Sequence, residues 1–114
     1  DVRLAGLLRA VREAHAGDAW HGPAFAESLG AFDADDAARR PIAGAHTAWE
    51  IALHVTAWTG EVARRLAPGT VAALPAPGDW PPMPAVRDAA AWAAVRADAD
   101  AALDACLAAA AAHL

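Results

Sequence analysis

The stretch Thr47-Ala48-Trp49-Glu50-Ile51-Ala52-Leu53-His54-Val55-Thr56-Ala57-Trp58 decides the fold. Thr47 followed three residues later by Glu50 is a capping box: the hydroxyl and the carboxylate each satisfy a backbone N–H that a helix start leaves free, a pairing worth about 1 kcal/mol. A helix therefore begins here. Ile51, His54, Trp58 and Val62 then recur at three- and four-residue steps on one face, widened by Leu53, Val55 and Leu66. The pattern aims His54 at a core. A histidine so placed is a packed residue bonded to a carbonyl or a water, a metal ligand, or a catalytic base, and spacing alone leaves all three open. The helix runs to about Leu66, with Arg64 and Arg65 in its last turn and Pro68-Gly69 just beyond.

Upstream, residues 2–15 set Val2, Leu4, Leu7, Leu8 and Val11 against Arg3, Arg9, Arg12 and Glu13, an amphipathic helix that ends near Gly17. Trp20-His21-Gly22-Pro23 restarts the chain, and Pro23 suits the first turn of a short helix near 23–29. His21, beside a Gly-Pro turn, is a surface or capping residue unless neighbouring helices draw it into a site. Asp33 followed by Asp35 and Asp36 reads as an N-cap with first-turn carboxylates, opening a helical turn that ends by Pro41. A hard-cation site is the weaker reading, because no Gly-centred loop or closing Glu accompanies the three acids.

Downstream, residues 68–84 hold most of the prolines, including Pro75, Pro77, Pro81, Pro82 and Pro84, and form a stiff connection able to cross the side of a bundle, pinned by Trp80. Residues 85–113 read as one helix with Val86, Trp92, Val95, Leu103 and Leu107 as its larger apolar members. No strand is expected. The helix has no stop signal and the chain opens at Asp1 without a Met, the pattern expected of an ordered portion of a longer protein.

A chain of 114 residues makes one domain. Roughly a third of the residues are Ala, while Lys, Asn, Gln and Tyr are absent, so helix is favoured and every cationic side chain is Arg. The net charge of -5 and the pI near 5.3 argue against nucleic acid or an anionic membrane as main partner, since both need a concentrated basic face. A single cysteine, Cys106, rules out an internal disulfide and fits a reducing compartment as a small core residue. With no signal peptide and no apolar run long enough for a bilayer, the expected location is the cytoplasm.

No phosphate loop, dinucleotide fingerprint, nucleophile elbow or zinc ribbon is present. Any chemistry rests on histidine. A zinc-like ion needs donors about 2.0–2.1 Å away, and His46 and His54, eight residues apart, would be separated by about 12 Å of rise on one helix. No two histidines have the four-residue spacing that puts both on one face. Spacing therefore supports a helical bundle and gives little support to a metal.

Taken in order, Trp20-His21-Gly22-Pro23, then Ala37-Ala38-Arg39-Arg40-Pro41-Ile42-Ala43-Gly44-Ala45-His46-Thr47, then Trp49-Glu50 with His54 and Trp58, and finally Asp79-Trp80-Pro81-Pro82 resemble the DinB/YfiT-like family of small helical metalloproteins. The resemblance covers nearly the whole chain and rests on order and spacing rather than on any one piece. It implies an all-α, up-and-down four-helix bundle, commonly a homodimer, with a divalent metal (Zn, Ni, Fe or Mn) on three histidines. One of those comes from the second helix, matched by His54, and two from a His-x-x-x-His pair on the last helix. That pair and its helix have no counterpart in this chain, and His113 does not replace them. The resemblance further implies a thiol-dependent transferase or a hydrolase of a small molecule, in which the ion lowers the pKa of a bound thiol or water. Glu50, Trp58, Trp49 and His21 are the candidates for the surroundings of the metal, although capping already accounts for Glu50. The competing reading is a non-catalytic helical module whose histidines are packing residues. Three apolar stripes without a fourth helix would leave a groove lined by Trp49, Leu53, Trp58 and Leu103 open, to be covered by a further helix or a second subunit. One imidazole cannot replace three, so this chain alone is expected to hold metal weakly.

Overall fold

In the computed structural model, which describes residues 1–67 and 78–112, five helices and no strands are present among the described residues. They are α1 (Val2–Ala16), α2 (Phe25–Gly30), α3 (Ala34–Ala38), α4 (Ala48–Arg65) and α5 (Ala89–Ala111). The expectations placed on Pro68, Gly69, Pro75, Pro77 and His113 lie outside the described residues.

Local chemistry sets the helix starts. Asp1 accepts from the Arg3 N–H, and Asp33 from that of Asp36 at 2.8 Å. At α4 the Thr47 hydroxyl accepts from the Glu50 N–H at 3.1 Å while Glu50 Oε1 accepts from the Thr47 N–H at 2.9 Å, which is the capping box closed in both directions. The last helix begins at Ala89 rather than at residue 85, because Asp88 is its cap, accepting from Ala91 N–H at 2.8 Å. Periodicity alone could not separate this start from the Pro84-Ala85-Val86 approach to it. Ala24 caps α2, and Pro23 lies just outside the helix.

The core forms where α4 meets α5. Trp49 and Trp92 pack with ring centroids 5.1 Å apart, joined by Leu29, Ala37, Ala52 and Val95. Trp49 leads on to Trp92, and residues 55–62 lead on to Leu103 and Cys106, so α4 and α5 run in the same direction. In contrast, α1 is antiparallel to α5: His15 bonds Asp100 at 2.8 Å while Val11 adjoins Leu103 and Cys106. This corrects the up-and-down expectation for the long helices. The connection after α4 returns along that helix, with Asp79 on His54 and Met83 on Thr47, and so delivers α5 beside the start of α4.

The buried face of α4 also differs from the face that periodicity selects. Trp49 and Ala52 are buried, whereas Ile51 and Val62 are 42% and 48% exposed. Small residues are buried on both helices, Ala52 on α4 and Ala99 on α5. Ile51 and Val62 are turned toward solvent, while Trp49 packs on Trp92 of α5. Helix α1 has no buried residue at all. None of the described helices is long and apolar enough to cross a membrane.

Candidate functional site

His54 lies halfway along α4, where the returning segment 78–84 crosses the helix. Its Nδ1 is 2.7 Å from the Asp79 carbonyl oxygen and 3.3 Å from Asp79 Oδ1. A carbonyl can only accept, so Nδ1 carries the hydrogen and the neutral ring keeps its lone pair on Nε2. Asp79 Oδ1 also accepts the indole N–H of Trp58 at 2.6 Å. One residue of the crossing segment thus orients both the imidazole and the indole. The guanidinium of Arg65 lies 5.8 Å from the Trp58 ring, within cation–π range.

Trp80 is held between two histidines. Its ring is 3.5 Å from His46 at an interplanar angle of 6° and 3.8 Å from His54 at 12°. Two nearly parallel rings so close to one centroid cannot share a face, so the imidazoles cover opposite faces of the indole. His46 precedes the helix, since Thr47 is the cap, and the 12 Å rise of a continuous helix therefore does not apply to this pair. The indole fills the space between them, and they do not converge on a common point.

Below His54 along α4 runs a groove of about 400 Å³. Helix α1 contributes Val11, α4 contributes Val55, Trp58, Thr59 and Val62 beside His54, and α5 contributes Leu103 and Cys106. The His54 side chain is 27% exposed, so the ring is reachable from this cleft. The expected groove is therefore present with a different lining: Trp58 and Leu103 belong to it, while Leu53 packs toward the core and Trp49 is fully buried against Trp92.

Glu50 serves the helix start. Besides the Thr47 N–H it takes Arg40 at 2.8 Å and stands 3.6 Å from His46 Nδ1. The Thr47 N–H, ahead of the Arg40 guanidinium, holds its carboxyl below the usual range. Its partners are these and not His54. Arg40 also donates to the Ala45 carbonyl, tying the preceding loop to the cap. His21 stands edge-on to the exposed Trp20 ring at 5.5 Å, in the loop before α2. Of the five residues singled out in the sequence, His54 and Trp58 are brought together, whereas Glu50, Trp49 and His21 each serve elsewhere.

Spacing along α4 missed Asp79, His46, Val11 and Cys106. Asp79-Trp80 beside prolines was the available signal for a clamped crossing; the groove contributions of Val11 and Cys106 depend on helix placement and carry no local mark. Among the described residues no three His, Cys, Asp or Glu side chains gather where one ion could be held. His54 fits one ligand position, since its Nδ1 is fixed on Asp79 and its Nε2 has no hydrogen-bond partner among the described residues. No protein-family model matches the chain, and neither a curated protein nor a solved structure matches it.

Proposed function

We propose that this chain is a DinB/YfiT-like metal-binding protein of the four-helix-bundle type, in which His54 offers Nε2 to a divalent cation at the end of the groove. In this reading it is a thiol-dependent transferase or a hydrolase of a small molecule and works as a homodimer in the cytoplasm. The supporting observation is the His54–Asp79 pair: a ring nitrogen anchored on an oxygen acceptor fixes the tautomer and leaves the opposite nitrogen free to ligate. The two other donors of a three-histidine site are not among the described residues. When bound, such an ion supplies Lewis-acid activation of a thiol or water. The chain's own part is narrower: Asp79 orients the imidazole, Trp80 restrains its tilt, and Trp58 shields one side of the approach.

Elemental analysis of the protein as its gene encodes it, after exposure to Zn, Ni, Fe or Mn and desalting, tests the proposal. A divalent metal is expected in the parent protein, lost in His54→Ala and kept in His46→Ala. Metal content unchanged by His54→Ala would remove the proposed ligand. The stack of His46, Trp80 and His54 favours a second reading, in which both imidazoles are packing groups of a non-catalytic module. That reading expects His54→Ala and His46→Ala to lower the melting temperature alike, with no metal in either or in the parent.

A further inference from the structure

We infer that α1 is a latched strap, which opens from the body formed by α2 to α5 while that body stays folded, and that the bond between His15 and Asp100 holds it closed. None of the 15 residues of α1 is buried, and Val2, Leu7 and Val11 are exposed. Burial of apolar surface is what ties a helix to the global unfolding of a domain, so an element without it opens at a fraction of the global free energy. The ties that α1 does have gather in its last turn. His15 Nε2 donates to Asp100 Oδ1 of α5 at 2.8 Å, since a carboxylate can only accept, and the imidazole leans on Phe25 of α2 with ring centroids 5.5 Å apart. The His15 side chain is 11% exposed against 60% for Asp100, so the imidazole is set in between helices while its partner stays hydrated. Arg12 of α1 and Asp104 of α5 line the same cleft, and Arg96 lines a second cleft on Asp100. The latch is therefore polar, partly solvated and open to screening by salt. Opening rearranges only the connection 17–24, which holds no helix and turns at Gly22 with φ 129°. A helix of 15 residues is marginal alone in water, so α1 melts on release and the latch controls an order-to-disorder step that bares the side of α5 carrying Leu103 and Asp104. None of the latch contacts involves His54, so the inference goes beyond the metal reading and stands without it.

Hydrogen–deuterium exchange of the full chain, read by mass spectrometry on peptides from α1, α4 and α5, tests the latch. In the parent, α1 should be protected relative to an unfolded chain yet exchange roughly tenfold or more faster than the buried stretches around Trp49 and Trp92. Asp100→Ala should speed exchange in α1 about two- to fivefold, the scale of an exposed charge pair, and leave α4 unchanged. His15→Phe keeps a ring against Phe25 and removes the donor, so it should act in the same direction. Combining the two should add little to either alone, because both remove one bond. Raising NaCl from about 20 mM to about 1 M should speed α1 exchange in the parent and much less in Asp100→Ala. Protection of α1 equal to that of α4 and α5 would overturn the inference, since α1 would then open only with the whole fold. So would an unprotected α1 in the parent, where nothing would be latched, or exchange in α1 unmoved by both substitutions. Equal acceleration of all helices in the variants counts against it as well, because the bond would then serve global stability. Metal content plays no part in any readout, so failure here and failure of the metal reading are separable.

Discussion

Two tryptophans in one core make unequal demands. Trp92 donates its indole N–H to the Phe32 carbonyl at 3.0 Å, whereas Trp49 Nε1 is buried with no hydrogen-bond partner among the described residues. Replacement by phenylalanine removes similar volume at both positions but breaks a bond at only one. Trp92→Phe is therefore expected to cost about 1–3 kcal/mol more than Trp49→Phe in urea unfolding. Equal losses would mean that the Trp49 N–H is satisfied in solution. Glu61 provides a pH dependence. Its side chain is 1% exposed and is gripped by Arg64 at 2.6 Å and 2.9 Å and by Arg65 at 2.8 Å. The Arg64 hydrogen bond, followed by that of Arg65, holds its carboxyl down at about 2 from an ordinary 4.5. A carboxylate with a depressed pKa in the folded state stabilises at pH values above its unfolded pKa, and that contribution fades as the pH falls through the folded value. The stability gap between the parent and Glu61→Gln should thus be constant above pH 5, narrow between about 4.5 and 2, and close below. A gap independent of pH would show that the pair contributes no differential protonation.

At the level of elements, the seam between α4 and α5 tolerates little and α1 tolerates much. Ala52 is fully buried where the two helices meet, so Ala52→Leu forces extra methylenes into filled space and should cost about 1–3 kcal/mol. Leu7 on α1 is 64% exposed, and Leu7→Ala should change stability by less than about 0.5 kcal/mol. Chemical denaturation of the two variants side by side measures the contrast. The same contrast explains what could be read from sequence. Thr47 with Glu50, Asp33 and Asp88 form their bonds within three residues, so helix starts are written locally, although the helical pattern carried back to residue 85 hid the cap at Asp88. Which face of α4 is buried was not legible, because beyond Trp49 it is carried by the small Ala52, while Ile51 and Val62 look like core and are not. His54 and Trp58 could be paired from spacing. Asp79, which orients both, comes from a segment more than twenty positions downstream, where nothing local records the contact.

For the molecule as a whole, the shared direction of α4 and α5 governs how the chain reaches this structure. Antiparallel neighbours can zip from a short turn, each new contact close in sequence to the last. Here Trp49 must find Trp92 only after the chain has reached the end of α4 and come back along it. Closing such a distant contact carries an entropic cost before packing offsets it, and proteins dominated by distant contacts fold more slowly than local helical bundles. Refolding should therefore be resolvable by stopped-flow fluorescence as a phase slower than about 1 ms, beyond the microsecond-to-millisecond range of hairpin-built bundles. Refolding complete within the mixing time would contradict this. The clasp of Trp80 between His46 and His54 then takes on a kinetic meaning: it fastens the returning segment to α4 and shortens the search that α5 must still make.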